Sequence, residues 1–249
     1  MDALLQCRNL SKHFGAVAAV THVDLAVARG TLHSVIGPNG AGKTTLFNCI
    51  TGELAPTEGE VVFEERVISG LPSHRLLGLG IARSFQRTSI FSTLTVGENV
   101  WMAAYARRRT DPLAYAKPAD SDPSLHEVVQ DALGEVGLER YADRIAGELA
   151  HGDQRLLDFA IAVAADPTLL LLDEPTAGLS QQETRRVLNH VNRLKGRYTI
   201  VLIEHKMDVV MELSDRISVM YFGSLLTEGT PEEVRRDPKV REAYLGKRG

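Results

Sequence analysis

Cysteine is nearly absent from this chain, with only Cys7 and Cys49 among 249 residues, far apart and without metal-ligand spacing. Both read most simply as free, small core residues of a reducing compartment. An excess of positive charge is also missing. Twenty-eight Lys and Arg stand against 32 Asp and Glu, for a net charge of −4, which gives no basic footprint for nucleic acid. Long apolar runs are lacking: Leu169–Leu172 and Thr199–Ile203 fall far short of the about 20 residues that span a bilayer. The start, Met1-Asp2-Ala3-Leu4, has no basic n-region, so no signal peptide is expected. The chain is expected to be soluble by itself, which leaves docking onto a membrane protein open. No internal repeat or low-complexity tract is visible, and the length suits one large α/β domain with a subdomain.

What is present is a phosphate-binding pattern. Gly37-Pro38-Asn39-Gly40-Ala41-Gly42-Lys43-Thr44-Thr45 fits G-x-x-x-x-G-K-[ST]. Thr31 to Ile36 before it reads as a buried strand, and Leu46, Phe47 and Ile50 after it recur at helical spacing until Gly52. Strand, glycine-rich loop and helix are the context this pattern needs. Glycines let successive N–H groups and the positive end of a helix converge on one anion. Lys43 can then reach the β/γ-phosphates and Thr44 can offer its hydroxyl to magnesium. The plain alternative is a glycine-rich turn before a Lys-Thr helix start.

Taken in order, Leu4–Leu10 and Val20–Ala28 predict strands, and Phe14 between them is either a core residue or an exposed aromatic for a base. Glu60–Phe63 and Arg66–Ile68 suggest a hairpin, a short helix begins at Leu71 to His74, and strand Ile81–Phe85 delivers Gln86. From Arg87 to Leu149 the pattern turns helical, with Thr95–Arg108 and Leu125–Val136 joined by a loop, Asp111–Pro123. Arg107-Arg108-Arg109 closes the first of these, where cations suit the helix dipole. Helix Asp153–Ala165, strand Thr168–Leu172, helix Gln181–Lys195, strand Tyr198–Ile203, helix Lys206–Leu213 and strands Ile217–Tyr221 and Leu225–Thr227 follow. Such alternation predicts an α/β fold with a largely parallel central sheet and an inserted helical subdomain.

Two acids close the strand Leu169–Leu172, and the carboxyl ends of parallel strands are where ligands bind. Asp173 is placed to hold magnesium, and Glu174 to polarise a water for attack on the γ-phosphate. Taken alone, a loop acid after a buried strand is often a solvated turn. His205, ending the next apolar strand, could donate to the γ-phosphate, although a lone histidine is more often structural. Gln86, ending another, could reach the metal or the water, although a glutamine there is as often plain surface.

The phosphate loop, Gln86, Leu149-Ala150-His151-Gly152-Asp153-Gln154, the Asp173-Glu174 pair, Ala177-Gly178-Leu179-Ser180 and His205 occur in the order found in ATP-binding-cassette (ABC) ATPases, which the chain resembles over almost its whole length. The resemblance implies an α/β P-loop NTPase with a RecA-like core sheet, an antiparallel β subdomain and an inserted helical subdomain. The core and β subdomain would take residues 1–86 and 166–249, and the helical subdomain with the signature segment 87–165. It implies Phe14 for adenine stacking, Gly37 to Thr45 for the phosphates of ATP, and Thr44, Gln86 and Asp173 for Mg2+. Glu174 would be the base, Lys43 and Gln86 catalytic partners, and His205 the γ-phosphate switch. Cassettes of this family pair head to tail, so Ala150 and Gly152 would face the nucleotide of a partner.

The signature departs from the family's usual Leu-Ser-Gly-Gly-Gln. Ala150 replaces the serine that would bond the γ-phosphate, His151 the first glycine and Asp153 the glutamine. One lost hydroxyl donor to a charged group is worth about 1.5–3 kcal/mol. A carboxylate at Asp153 would repel a triphosphate, so its side chain is expected to point away, and Ser180 stands where aspartate is common. These changes suggest a heterodimer whose other cassette supplies the better signature, with a homodimer still open. Phe47 to Gly52, Arg83 to Arg87, the altered signature and the tail from Glu228-Gly229-Thr230-Pro231 to Ala243-Tyr244-Leu245-Gly246 most resemble the first ATPase subunit of branched-chain amino-acid importers. That implies two inner-membrane permeases, a second ATPase, a periplasmic binding protein and a peripheral place on the cytoplasmic side of the membrane. Urea and amide importers and the lipopolysaccharide-export ATPase share much of the pattern. A non-transport cassette on nucleic acid would carry a long coiled coil or two cassettes in one chain. A phosphate-loop kinase would lack the Asp-Glu pair and the signature.

Overall fold

A computed structural model of the protein describes residues 3–84, 90–108 and 123–245. Gln86 and Arg109, and most of the loop 111–123, lie outside the described residues. The described chain clusters into two compact units, one of Met1–Leu76, Leu171–Glu174 and Lys195–Gly249, the other of Leu77–Leu170 and Pro175–Leu194.

The first unit opens with a hairpin of two long strands, β1 (Ala3–Phe14) and β2 (Val17–Ala28), paired antiparallel from Ala3↔Ala28 to Phe14↔Val17. Both strands run further than the hydrophobic pattern suggests, so that Phe14 ends β1 instead of lying in a connecting loop. Val23, Leu25 and Val27 of β2 are buried while His22, Asp24 and Ala26 face out, the two-residue period of a sheet with one wet face. With β4 (Glu58–Phe63) and β5 (Arg66–Val67) these strands make an antiparallel sheet, β2-β1-β4-β5.

β3 (Leu32–Ile36) is buried at every position and lies between two parallel neighbours, β8 (Thr199–Ile203) and β9 (Arg216–Tyr221). Strands covered on both faces read as unbroken apolar runs, which is why β8 and β7 (Leu169–Asp173) were visible as such. β10 (Ser224–Gly229) pairs antiparallel with β9. The strand order is β10-β9-β3-β8-β7-β6, where β6 is Ile81–Ser84. α1 (Lys43–Ile50) leaves the end of β3 through the glycine-rich loop. Ile36 joins Val210, Ile217, Val219, Val234 and Val240 in one buried cluster, which seats α7 (Met207–Leu213), α8 (Pro231–Arg236) and α9 (Pro238–Leu245).

α8 and α9 carried no periodic signal long enough to show in the sequence. α8 has a different one: Thr230 accepts from the Glu233 N–H and Glu233 returns to the Thr230 N–H, with Pro231 in the first turn. This is a capping box, reciprocal satisfaction of two orphan donors. Thr230→Ala should therefore lower stability by about 1 kcal/mol, read as a shifted denaturant midpoint at unchanged slope.

In the second unit, α3 (Val96–Arg108), α4 (Pro123–Val136) and α5 (His151–Ala164) pack on one another around Leu133, Leu138, Leu156 and Phe159, all fully buried. The buried Asn99 amide ties the incoming loop to α3, donating to the Phe91 and Thr95 carbonyls and accepting from the Phe91 N–H. The unit also holds α2 (Ser73–Gly78) from Leu77 onward, β6 (Ile81–Ser84) and α6 (Gln181–Leu194). α6 buries Thr184, Val187, Leu188, Val191 and Leu194 along one face.

Candidate functional site

The loop between β3 and α1 supplies no side-chain cap to the helix that follows it. Gly42 caps α1 in a left-handed conformation, no side chain satisfies the helix start, and no acid stands in its first turn. An uncapped helix N-terminus presents open N–H groups and positive potential to an outside anion. Two glycines are required here. A Cβ on Gly37 (φ +155) would meet the Met220 carbonyl oxygen at 2.3 Å, and one on Gly42 (φ +97) the Ala19 carbonyl oxygen at 2.2 Å. The loop is thus pressed between β2 and β9, and the Gly223 N–H fixes it by donating to the Ala41 carbonyl at 3.1 Å.

Lys43 is buried, and its ammonium donates to the Gly37 and Pro38 carbonyls at 2.8 and 3.0 Å. Burial lowers its pKa, and the charges of Glu174 and Asp173 oppose that. The pocket around it is lined by Ala19, Asn39 to Thr45, Glu174 and His205. Asp173 ends β7 and is buried, while the Thr44 side chain faces out.

Glu174 is one of seven non-glycine residues with positive φ among the described ones, at φ +48, a conformation that costs energy and persists only where its surroundings impose it. Its N–H donates to the Ile203 carbonyl at 2.9 Å, so the end of β8 sets it in place. Its carboxylate meets the His205 Nε2 at 2.5 Å. An ionised carboxylate only accepts, so the ring proton lies on Nε2. His205 is itself held by Glu204, whose carboxylate accepts from the N–H groups of His205 and Lys206 at 2.7 and 3.2 Å.

Phe14 is 48 % exposed, with the Lys12 ammonium 5.4 Å from its ring centre. It is thus the exposed aromatic and not the core residue, although it does not line the phosphate pocket. The signature segment lies in the second unit. Ala150 is the N-cap of α5 and offers no side-chain bond, as expected of a residue without a hydroxyl. The helix starts at His151, two residues earlier than its pattern suggested. The buried Gly152 N–H donates to the Glu183 carboxylate of α6 at 3.2 Å. Asp153 is paired with Arg186 of α6 at 2.6 Å.

Residues 20–177, more than half of the chain, match the family profile described as ABC transporter. The chain belongs to the ABC transporter family.

A second profile, described as branched-chain amino acid ATP-binding cassette transporter, matches residues 224–249 of this cassette. The high-affinity branched-chain amino acid transport ATP-binding protein LivG of Salmonella typhimurium is 40% identical over 252 residues, covering 98% of each chain. A solved ATP-binding cassette of an ABC transporter in its ADP conformation is 34% identical with a TM-score of 0.86, over 99% of this chain and 100% of that one. A dimeric cassette solved in a post-hydrolysis state with ADP and phosphate gives a TM-score of 0.77 at 25% identity, over 91% and 98%. As a member of its family the cassette is an ATPase.

The cassette's residues fit what an ATPase has to hold. The glycine cradle and uncapped α1 suit phosphates, and the hydroxyl of Thr44 with the carboxylate of Asp173 are the hard oxygen donors that magnesium takes. No group of three or more His, Cys, Asp or Glu able to hold a metal occurs among the described residues, and a cation bound largely through substrate phosphates needs none. Sequence reasoning missed three contributors: Ala19, the β9–β10 turn at Gly223, and Glu183. Only the last had a local signal, the capping-box spacing Ser180-x-x-Glu183.

Proposed function

We propose that this cassette is the ATP-hydrolysing subunit of a membrane importer for branched-chain amino acids. The observation that supports it best is the C-terminal segment, 224–249, which matches the branched-chain profile separately from the general ABC match. The relative LivG carries the corresponding name.

The roles of the site residues are those this reading assigns, with that of Gln86 carried by the family resemblance alone. Backbone N–H groups of Gly40 to Thr45 and the Lys43 ammonium bind the phosphates of ATP, Lys43 exchanging carbonyls of its own loop for phosphate oxygens. Phe14 offers an exposed face to the adenine. Thr44 and Asp173, with Gln86 by the family resemblance, would hold magnesium, which would supply charge neutralisation at the phosphoryl oxygens. Glu174 takes the proton of the attacking water, and His205 holds the Glu174 carboxylate in place and turns to the γ-phosphate. Little covalent work is asked of the protein, since positioning and charge stabilisation carry phosphoryl transfer. Gly152, behind Ala150 on α5, completes the site of a second cassette. Residues 1–86 and 166–249 would then act as the nucleotide core and 87–165 as the helical subdomain that passes closure to the permease.

No helix among the described residues is long and apolar enough to cross a membrane. The importer reading itself implies two permease subunits, with the cassette bound peripherally on the cytoplasmic side, a second ATPase, and a periplasmic binding protein. Gentle purification from the native membrane tests it. Co-purification of a permease, a second cassette and a binding protein specific for leucine, isoleucine or valine is the expected result. A binding protein that takes urea or an amide instead would overturn the substrate class. The isolated cassette should hydrolyse ATP poorly until that partner cassette is added, because its signature lacks the hydroxyl at Ala150. Robust, concentration-independent hydrolysis by the lone chain would contradict this.

A further inference from the structure

The Gly152 N–H is not waiting for a ligand, because a carboxylate from the same chain already occupies it. Glu183 divides its two oxygens between two helices. One, Oε2, accepts from the Ser180 hydroxyl at 2.6 Å and the Ser180 N–H at 3.0 Å, capping α6, while Oε1 accepts from the Gly152 N–H at 3.2 Å. The bonds to Ser180, and then the Gly152 N–H and nearby His151, hold this carboxyl below the usual carboxylate range. Arg186, one turn further along α6, pairs with Asp153 at 2.6 Å. A Cβ at Gly152 would lie 3.0 Å from both Oε1 and Cγ of Glu183, so glycine is what lets the carboxylate come so near.

We propose that Glu183 is an internal competitor for the signature amide: its carboxylate stands where a phosphate oxygen of the partner's nucleotide has to bind, and it must leave before two cassettes close. The proposal rests on the reading that Gly152 serves a nucleotide in trans. A carboxylate and a phosphate are both anionic acceptors drawn to a helix N-terminus, and one N–H cannot serve both while like charges repel. The two halves of Glu183 differ in the way a gate requires. At 3.2 Å the Gly152 bond is long for one to an ionised acceptor, whereas the 2.6 Å bond to Ser180 is short. The contact to Gly152 is the weaker of the two, so it is the one given up when the carboxylate turns.

The test uses the full chain in a Glu174→Gln background, which arrests hydrolysis, and measures self-association by sedimentation with and without magnesium and ATP. Adding Glu183→Gln keeps the side chain's shape and its capping oxygen but turns an amide donor toward the Gly152 N–H. The expected result is ATP-dependent association about tenfold tighter, the worth of one hydrogen bond to a charged group, together with an unchanged or lower Tm. Glu183→Ala should tighten association likewise while lowering Tm more. A purely structural staple would move both readouts downward, so association that weakens or stays unchanged in Glu183→Gln overturns the proposal. If the Glu174→Gln parent shows no ATP-dependent association, alone or with the co-purified partner cassette, the dimer reading falls and the competitor with it.

Discussion

Glu174→Gln should cut ATP turnover by about 10²–10⁴-fold, the usual contribution of general base catalysis, while ATP binding stays near normal. The substitution leaves the placement of residue 174 alone. Its N–H still donates to the Ile203 carbonyl and its backbone still adopts the left-handed conformation that β7 and β8 impose. The amide oxygen can still accept from the His205 Nε2, the contact that now measures 2.5 Å. What is lost is the capacity to take a proton from water. Phosphate release measured beside equilibrium nucleotide binding separates the two effects, and near-normal release by the variant would remove Glu174 from the role of base. A loss of binding equal to the loss of turnover would instead place its charge among the groups that hold the nucleotide.

The phosphate site was legible because its physics is local. A cradle for an anion needs particular glycines within a few residues of a helix start, and that spacing is written in the chain at Gly37, Gly42 and Lys43. Unbroken apolar runs gave β7 and β8 for the same reason: strands buried on both faces have no polar alternation to show, whereas β3 carries the buried His33 and Ser34 and was legible from its place before the glycine-rich loop. The contact between Glu174 and His205 was not legible in this way. Both residues stand at strand ends, but only the neighbouring of β7 and β8 in the strand order brings them together, and strand order is not a property of either segment. The hairpin that supports the phosphate loop, with Gly223 on Ala41, lies far away in sequence for the same reason. Phe14 was harder still. Whether an aromatic beside a glycine is core or surface depends on how far β1 runs, and it runs through Phe14 itself. At the signature, the sequence suggested that Asp153 would turn from the phosphate but not what would receive it; Arg186 lies 33 residues later, on another helix. α8 and α9 were missed because six and eight residues are too few for a helical period to stand out, although the capping box at Thr230 marks where α8 begins.

Lys43→Met should abolish useful ATP binding, lowering affinity by about 2–5 kcal/mol, which is the range for truncating one partner of a buried, hydrogen-bonded charge pair. Methionine fills most of the volume of the lysine stem, so the packing of α1 survives, while the Gly37 and Pro38 carbonyls lose their donor and Tm should fall modestly. The ammonium has three donors, two of which now close the loop on the Gly37 and Pro38 carbonyls. Those bonds keep the cradle in shape before a nucleotide arrives, and the phosphates are the stronger acceptors that replace them. Asp173 and Glu174 counter the lowering of the Lys43 pKa by burial, which keeps the charge in place where solvent is excluded. Titration calorimetry with ATP reads the effect directly. Affinity within a few-fold of the parent would mean that the backbone N–H groups of the loop carry the phosphates without Lys43. The variant also stands at the head of the causal order, since a cassette that cannot hold ATP cannot use it to close on a partner. Glu183→Gln should therefore tighten association in the Glu174→Gln background and do nothing in the Lys43→Met background, because displacing an internal carboxylate matters only when a partner's nucleotide is there to take its place.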